Sequence, residues 1–250
     1  MKALIFAAGL GTRLKPLTET MPKALVPVGG IPLLEHAILK LKKVGVTEII
    51  INVHHFADQI IDFIHSKNAF DIRIAFSDER DLLLDTGGGL KKAAWFLEDN
   101  QPFFVYNVDI LSNVDLKQMY SYHLQFDSLS TLFVSERKTS RYLLFDNDNK
   151  LRGWHNTQTG EIKPQGTIIN SEEYNPLAFN GIHVISPEIF TLMNDWQGGF
   201  SIIDFYLSIA GKSNIQPFQE KDTQIIDVGK IMSLQEAENF YKKFQQNIDY

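Results

Sequence analysis

Cysteine is absent from the chain, so neither disulfides nor thiolate-bound metals are available to it. No apolar run approaches the ~20 residues that cross a bilayer, and Gly9 interrupts the first apolar segment too early for a secretory leader. Basic residues are in the minority, 24 Lys and Arg against 30 Asp and Glu, giving a net charge of −6, and they form no stripe. Polyanion binding needs a basic face, so neither nucleic acid nor a membrane is expected as a partner, and the expected location is the cytoplasm. Repeats, low-complexity tracts and Pro- or Gly-rich linkers are missing too. What is present is an ordinary composition, 44% apolar and 22% charged over 250 residues. That length suits one large α/β domain, or one with a small insertion.

Periodicity then sets the order of elements. Lys2 to Ile5 reads as a strand. A helix follows whose apolar stripe is Leu34, Ala37, Ile38, Leu41 and Val44, with Lys40, Lys42 and Lys43 expected on its solvated face. Strands are expected at 48–53, 70–76 and 102–107, with helices around Ile60, Ile61 and Ile64 and over 90–97. Pro102 to Asn107 is almost wholly apolar, as in a strand buried on both faces. Strands alternating with helices imply right-handed βαβ units and a mostly parallel sheet. After Asp127 the pattern changes to strands at 129–135, 142–145, 150–154 and 179–184, with a polar stretch at 155–176 read as a hairpin or mobile flap. Helices at 187–194, 201–211 and 233–246 and short strands at 214–218 and 224–228 complete the reading of a single domain over 1–250.

The densest signal is Phe6-Ala7-Ala8-Gly9-Leu10-Gly11-Thr12-Arg13, followed by Pro22-Lys23. A loop of small residues lets backbone N–H groups close on phosphate oxygens. Arg13 adds a planar charged fork and Lys23 a point charge. A P-loop needs a Lys-Ser/Thr pair directly after its last glycine, and a dinucleotide loop needs a third glycine where Leu14 stands. Neither fits.

Two acids sit at strand ends. Asp109 closes Tyr106-Asn107-Val108-Asp109, at the sheet edge where ligands of open α/β folds collect. It suits Mg²⁺, and equally a helix cap. Asp227, in Ile225-Ile226-Asp227-Val228-Gly229, reads alone as a turn or cap residue, with Gly229 permitting a sharp turn. Thr86-Gly87-Gly88-Gly89 opens a helix and offers free N–H groups to a base or phosphate, or else is only a glycine-rich helix start. Phe179-Asn180-Gly181-Ile182 reads as a β-turn or bulge, unless Asn180 gives a donor and an acceptor to hydroxyls. His54 and His55, adjacent on a strand, point to opposite faces and make a poor metal pair.

Gly9-Leu10-Gly11-Thr12-Arg13 with Pro16-Leu17-Thr18 and Pro22-Lys23-Ala24-Leu25 resembles the signature of the sugar-nucleotide pyrophosphorylases, the nucleoside-triphosphate:sugar-1-phosphate nucleotidyltransferases. The resemblance covers essentially the whole chain. It implies a single-domain three-layer α/β/α fold, GT-A-like, with a Rossmann-like, mostly parallel sheet. A nucleotide-binding half would span 1–110, a sugar-binding half with the 155–176 flap 111–232, and a terminal helix 233–250. Nucleotide contacts are implied at Ala8, Gly9, Gly11, Thr12, Thr86, Gly87 and Gly88, and sugar contacts at Asn180 and Gly181. Arg13 on the β/γ-phosphates and Lys23 at the α-phosphate are implied as catalytic, with Mg²⁺ on Asp109 and Asp227. The partners would be a nucleoside triphosphate and a sugar 1-phosphate, and the chain a monomer or weak homodimer. Relatives carry a Glu-Lys-Pro after the first central hairpin whose lysine meets the sugar phosphate; here Trp154-His155-Asn156 stands in that place and Glu161-Ile162-Lys163-Pro164 follows a little later. Within the family the chain resembles the N-acetylmuramate-1-phosphate uridylyltransferases most, which implies UTP and N-acetylmuramate 1-phosphate. A mannose- or heptose-1-phosphate guanylyltransferase is the alternative. A catalytically silent sugar-nucleotide sensor would not need Arg13, Lys23, Asp109 and Asp227 together. A glycosyltransferase would carry Asp-x-Asp where Asn107-Val108-Asp109 stands.

Overall fold

Successive side chains on a strand point to opposite faces of a sheet, so a strand apolar at every position must be covered twice. In the computed structural model, which describes residues 1–165 and 173–244, β1 (Lys2–Phe6) is such a strand: Ala3 and Ile5 enter one core and Leu4 another. Two short strands, β2 (Pro27–Val28) and β3 (Ile31–Pro32), pair with each other before α1 (Leu33–Lys43). Next come β4 (Glu48–Val53), α2 (Ala57–Ser66), β5 (Arg73–Asp78), α3 (Asp85–Lys92), α4 (Ala94–Leu97) and β6 (Phe103–Asn107). These strands form a parallel unit in the order β6-β1-β4-β5.

β7 (Ile110–Ser112) and α5 (Leu116–Gln125) lead out of it. The sheet continues with β8 (Ser130–Ser135), β9 (Arg141–Phe145), β10 (Leu151–Asn156), β11 (Ile162–Lys163) and β12 (Asn175–Ile185). The last elements are α6 (Ile189–Leu192), α7 (Ile202–Ile209), β13 (Ile215–Phe218), β14 (Ile225–Asp227) and α8 (Ile231–Phe244). β12 joins the two parts, because Ile182 to Ile185 pair antiparallel with β6 while Asn175 to Leu177 pair with β9. Its register against β8 slips between Phe179 and His183. Residues of α1, α2, α5 and α8 fill the core on one face of the sheet, and those of α3, α4, α6 and α7 the core on the other. The three-layer α/β expectation holds. Among the described residues no helix is long and apolar enough to cross a membrane.

Several local expectations change. The strand expected at 70–76 runs over β5 instead, because Asn68, Ala69, Phe70 and Asp71 all have positive φ in a 3-10 turn. Phe70 is apolar there because it plugs the core, not because it alternates in a strand. The expected 90–97 helix begins five residues earlier, at Asp85, and breaks at Ala93. In the 155–176 stretch, β10 and β11 pair as a hairpin, while residues 166–172 of the expected flap lie outside the described residues. Nor is the lysine face of α1 simply solvated. Lys40 Nζ donates to Ser112 O at 2.6 Å, and burial pushes its pKa down to about 8. Lys42 donates to Phe70 O.

Candidate active site

The small-residue loop is built on a polar side chain from the neighbouring strand. Asn52, near the end of β4, accepts the N–H of Ala7 at 2.7 Å and of Ala8 at 3.2 Å. Its amide donates to Glu79 Oε1 at 2.9 Å, and Glu79 Oε2 accepts Leu84 N–H at 3.0 Å. Asn52 is 3% exposed and Glu79 is fully buried, so this chain of bonds fixes two loops from inside. The N–H of Ala8 is therefore already engaged, so a contact of this residue with a nucleotide would be made by its other atoms. The N–H groups of Gly9, Leu10, Gly11 and Thr12 have no internal partner among the described residues. Gly11 has φ +63°, and a Cβ there would lie 2.9 Å from Thr18 Cγ2. Thr18 Oγ1 donates to Gly11 O at 2.8 Å. Only glycine fits that corner.

The acids meet through a two-stranded ribbon. β14 pairs antiparallel with β7, setting Asp227 opposite Ile110, and Val228 N–H donates to Asp109 O at 2.9 Å. Asp109, in the turn between β6 and β7, thereby comes beside Asp227. It does not cap α5, whose cap is Asp115. Lys23 Nζ donates to Asp109 Oδ2. Burial first, and then the charge of Asp109, hold the Asp227 carboxyl above the usual carboxylate range, while Lys23 and Arg13 pull it down. Asp227 as a whole remains exposed at the strand end. Gly229 lacks the positive φ expected of a sharp turn. Its hydrogen is needed because a Cβ would lie 2.7 Å from Asp227 Oδ1 and 3.0 Å from Arg13 Nη2. The fold thus brings Arg13, Lys23, Asp109 and Asp227 together.

A cavity of about 380 Å³ opens beside this cluster, lined by Ala8, Gly9, Lys23, Leu83, Asp85, Thr86, Asn107 and Asp109, with Asn52 and Glu79 in its wall. Gly87 and Gly88 do not line it. Their N–H groups, expected to be free, both donate to Phe200 O, at 2.8 and 3.3 Å. A Cβ on Gly87 would lie 2.4 Å from the Phe200 ring, and one on Gly88 2.4 Å from Gly198 O. These glycines let the segment before α7 dock on α3. Thr86 Oγ1 takes Ile202 N–H at 3.0 Å and fastens the same joint.

Asn180 and Gly181 stand one step behind the cavity. A Cβ on Gly181, φ +72°, would lie 2.8 Å from the Asn107 amide. Asn180 Oδ1 accepts Arg137 Nε at 2.9 Å and Ser135 Oγ at 3.3 Å, which leaves its buried Nδ2 without a partner. The acceptor expected to face a hydroxyl is already engaged. Lys163 lies over Trp154 and donates to Asp204 Oδ1 at 2.8 Å. His54 Nδ1 lies 2.7 Å from Glu79 O. The larger cavity, about 540 Å³ between α1, β7 and α8, contains none of the expected residues. Sequence reasoning missed Asn52, Glu79 and Asp85; the one signal for Asn52 was an amide closing the apolar run of β4.

Comparison with known proteins shows the family of the chain. Residues 2–243 match the family model described as nucleotidyl transferase. The N-acetylmuramate alpha-1-phosphate uridylyltransferase of Caulobacter vibrioides is 32% identical over 219 residues, 85% of this chain and 86% of that one. The mannose-1-phosphate guanyltransferase of Aspergillus fumigatus is 38% identical over 138 residues, 54% of this chain and 38% of that one. Among solved structures, HddC from Yersinia pseudotuberculosis complexed with GMP-PN superposes with a TM-score of 0.75 at 26% identity, covering 96% of this chain and 99% of that one.

Proposed function

The chain belongs to the nucleotidyl transferase family, and from that premise we propose that it transfers a uridylyl group from UTP to a sugar 1-phosphate, N-acetylmuramate 1-phosphate, with release of pyrophosphate. The observation that carries the reaction class is the cluster of Asp109, Asp227, Lys23 and Arg13 beside a loop whose N–H groups from Gly9 to Thr12 have no internal partner. A phosphate monoester is already a competent nucleophile, so the site needs no general base. Its work is positioning and charge stabilisation. The sugar phosphate oxygen attacks the α-phosphorus in line and the bond to pyrophosphate breaks.

In this reading Gly9, Gly11 and Thr12 hold phosphate oxygens through the backbone. Arg13 clamps the phosphates that leave, and Lys23 neutralises charge that grows on the α-phosphate. The paired carboxylates fit a divalent cation, because Asp109 and Asp227 stand side by side with Lys23 and Arg13 as the cations beside them. Mg²⁺ takes one or two carboxylates and completes its octahedron with phosphate and water. Asp109 and Asp227 would hold it, and when bound it supplies charge neutralisation to the phosphates.

The Caulobacter uridylyltransferase, 32% identical along 85% of the chain, is nearer in sequence than HddC, which was solved with GMP-PN and is 26% identical along 96%, and this favours UTP and N-acetylmuramate 1-phosphate over the guanylyltransferase alternative. A matrix of triphosphates against sugar 1-phosphates, read by pyrophosphate release, tests both parts. The highest kcat/KM is expected for UTP with N-acetylmuramate 1-phosphate. Preference for GTP with mannose 1-phosphate would overturn the substrate pair, and no turnover of any pair would overturn the reaction class.

A further inference from the structure

Asp85 lines the cavity at the first turn of α3 with φ +56°, in the left-handed region that Asp and Asn visit more readily than other residues with a Cβ. Its Oδ1 accepts the N–H of Thr86 at 2.6 Å. Its Oδ2 has no partner, and no cation pairs with the carboxylate among the described residues. An exposed carboxylate at a cavity wall, with one oxygen tied back and the other open, is the feature of the site that the transfer chemistry does not explain.

If the phosphates lie at Lys23 and Asp109, the base falls against Ala8, Leu83, Asp85 and Thr86. The pairing edges of the four bases differ at one ring nitrogen: uracil presents N3–H, guanine N1–H with an amino group beside it, while cytosine and adenine present a bare acceptor nitrogen. A carboxylate only accepts. It rewards a ring N–H and repels a ring lone pair. We infer that Asp85 determines base specificity in this site, its free Oδ2 accepting the single N3–H of uracil and excluding cytosine. This rests on the reading of the cavity as a nucleotide site. One open oxygen matches one N–H; guanine, with two adjacent donors, would want both.

Asp85→Asn tests this sharply, because asparagine also tolerates positive φ and keeps the side chain's size. Its oxygen must stay on Thr86 N–H, since flipping the amide would set two donors against each other. The amide nitrogen then replaces Oδ2 and donates. Pyrophosphate release is measured with UTP, CTP and GTP against one sugar 1-phosphate. Wild type is expected to prefer UTP to CTP. In Asp85→Asn, kcat/KM for UTP should fall about ten- to hundredfold, the range for one mismatched hydrogen bond, and that for CTP should rise. Asp85→Gly, which tolerates the same backbone conformation and removes the carboxylate, should lose UTP preference without gaining CTP. Calorimetric affinities for UDP and CDP should shift in parallel. Equal losses for UTP and CTP in both variants, or an unchanged UTP:CTP ratio, would reduce Asp85 to a helix-end residue. A wild type that prefers GTP overturns the uracil assignment, and one that turns over no triphosphate overturns the nucleotide reading itself.

Discussion

Two carboxylates in contact repel each other unless cations stand beside them, and Asp109 and Asp227 have Lys23 and Arg13 in that place. Removing one negative charge should therefore separate activity from stability. Asp227→Asn is expected to lower kcat by orders of magnitude while leaving Tm unchanged or slightly raised, because a carboxyl whose pKa the fold holds up is a destabilising charge at neutral pH. A large drop in Tm would show that Asp227 is structural. Turnover unaffected by EDTA would sink the metal proposal. Lys23→Ala should depress kcat more than it raises KM if the ammonium answers charge that develops during transfer. Arg13→Lys should be poorly tolerated, because an ammonium cannot reproduce a two-pronged fork. A normal kcat in Lys23→Ala would confine that residue to binding. These four side chains could be picked out in the sequence because the run from Gly9 to Pro22-Lys23 and the two strand-end acids match one family's pattern together, although each acid alone reads equally or better as a cap or turn residue. Asn52 and Glu79 could not, since their task, linking Ala7, Asn52 and Glu79 across 45 and 27 residues of chain, exists only once the strands are side by side.

Helices and strands with long apolar periods were legible to within a few residues: the expected 48–53 strand is β4 and the stripe from Leu34 to Leu41 is α1. Where a segment is apolar because one residue anchors it, as at Phe70, alternation misleads. The glycines of α3 mislead in the same way, for a residue without a side chain advertises space but not what fills it. What fills it is the segment 198–200, and that makes the joint between α3 and α7 testable. Gly88→Ala would put a Cβ 2.4 Å from the Gly198 carbonyl oxygen, a backbone atom that cannot swing aside. Overpacking of this kind costs roughly 1–3 kcal/mol, so Tm should fall by several degrees, and activity with it, since Asp85 and Thr86 begin the same helix. Gly9→Ala meets nothing within 4 Å and should leave Tm unchanged, so any loss of activity there reports on the site and not on the fold. Equal Tm values for the two variants would contradict this account of the α3–α7 joint.

Across the whole molecule, buried histidines knit the antiparallel part of the sheet to its helices, and they set how the fold answers acid. His123 of α5 bonds Thr131 Oγ1 at 2.9 Å and Ser186 Oγ at 3.0 Å. His183 of β12 bonds the Tyr206 hydroxyl at 2.9 Å, which in turn accepts from Ser130 at 3.0 Å. Burial alone drives both imidazoles towards the neutral form, to a pKa of about 4 for His123 and about 3 for His183. In the unfolded chain each titrates near 6.5. Between those values the unfolded state binds more protons, so stability falls as pH drops below about 6.5 and goes on falling until the folded groups themselves protonate. From pH 7 to pH 5 each histidine should remove about 2 kcal/mol, a sizeable share of the 5–15 kcal/mol typical of a domain. Chemical denaturation at pH 7, 6 and 5 measures the loss directly. His123→Gln should start less stable than wild type yet lose less over that range, by about the 2 kcal/mol of its own titration, because His183 and the buried His36, whose pKa burial also lowers, still titrate. A variant that loses as much as wild type would mean that His123 is not a group whose protonation unfolds the protein.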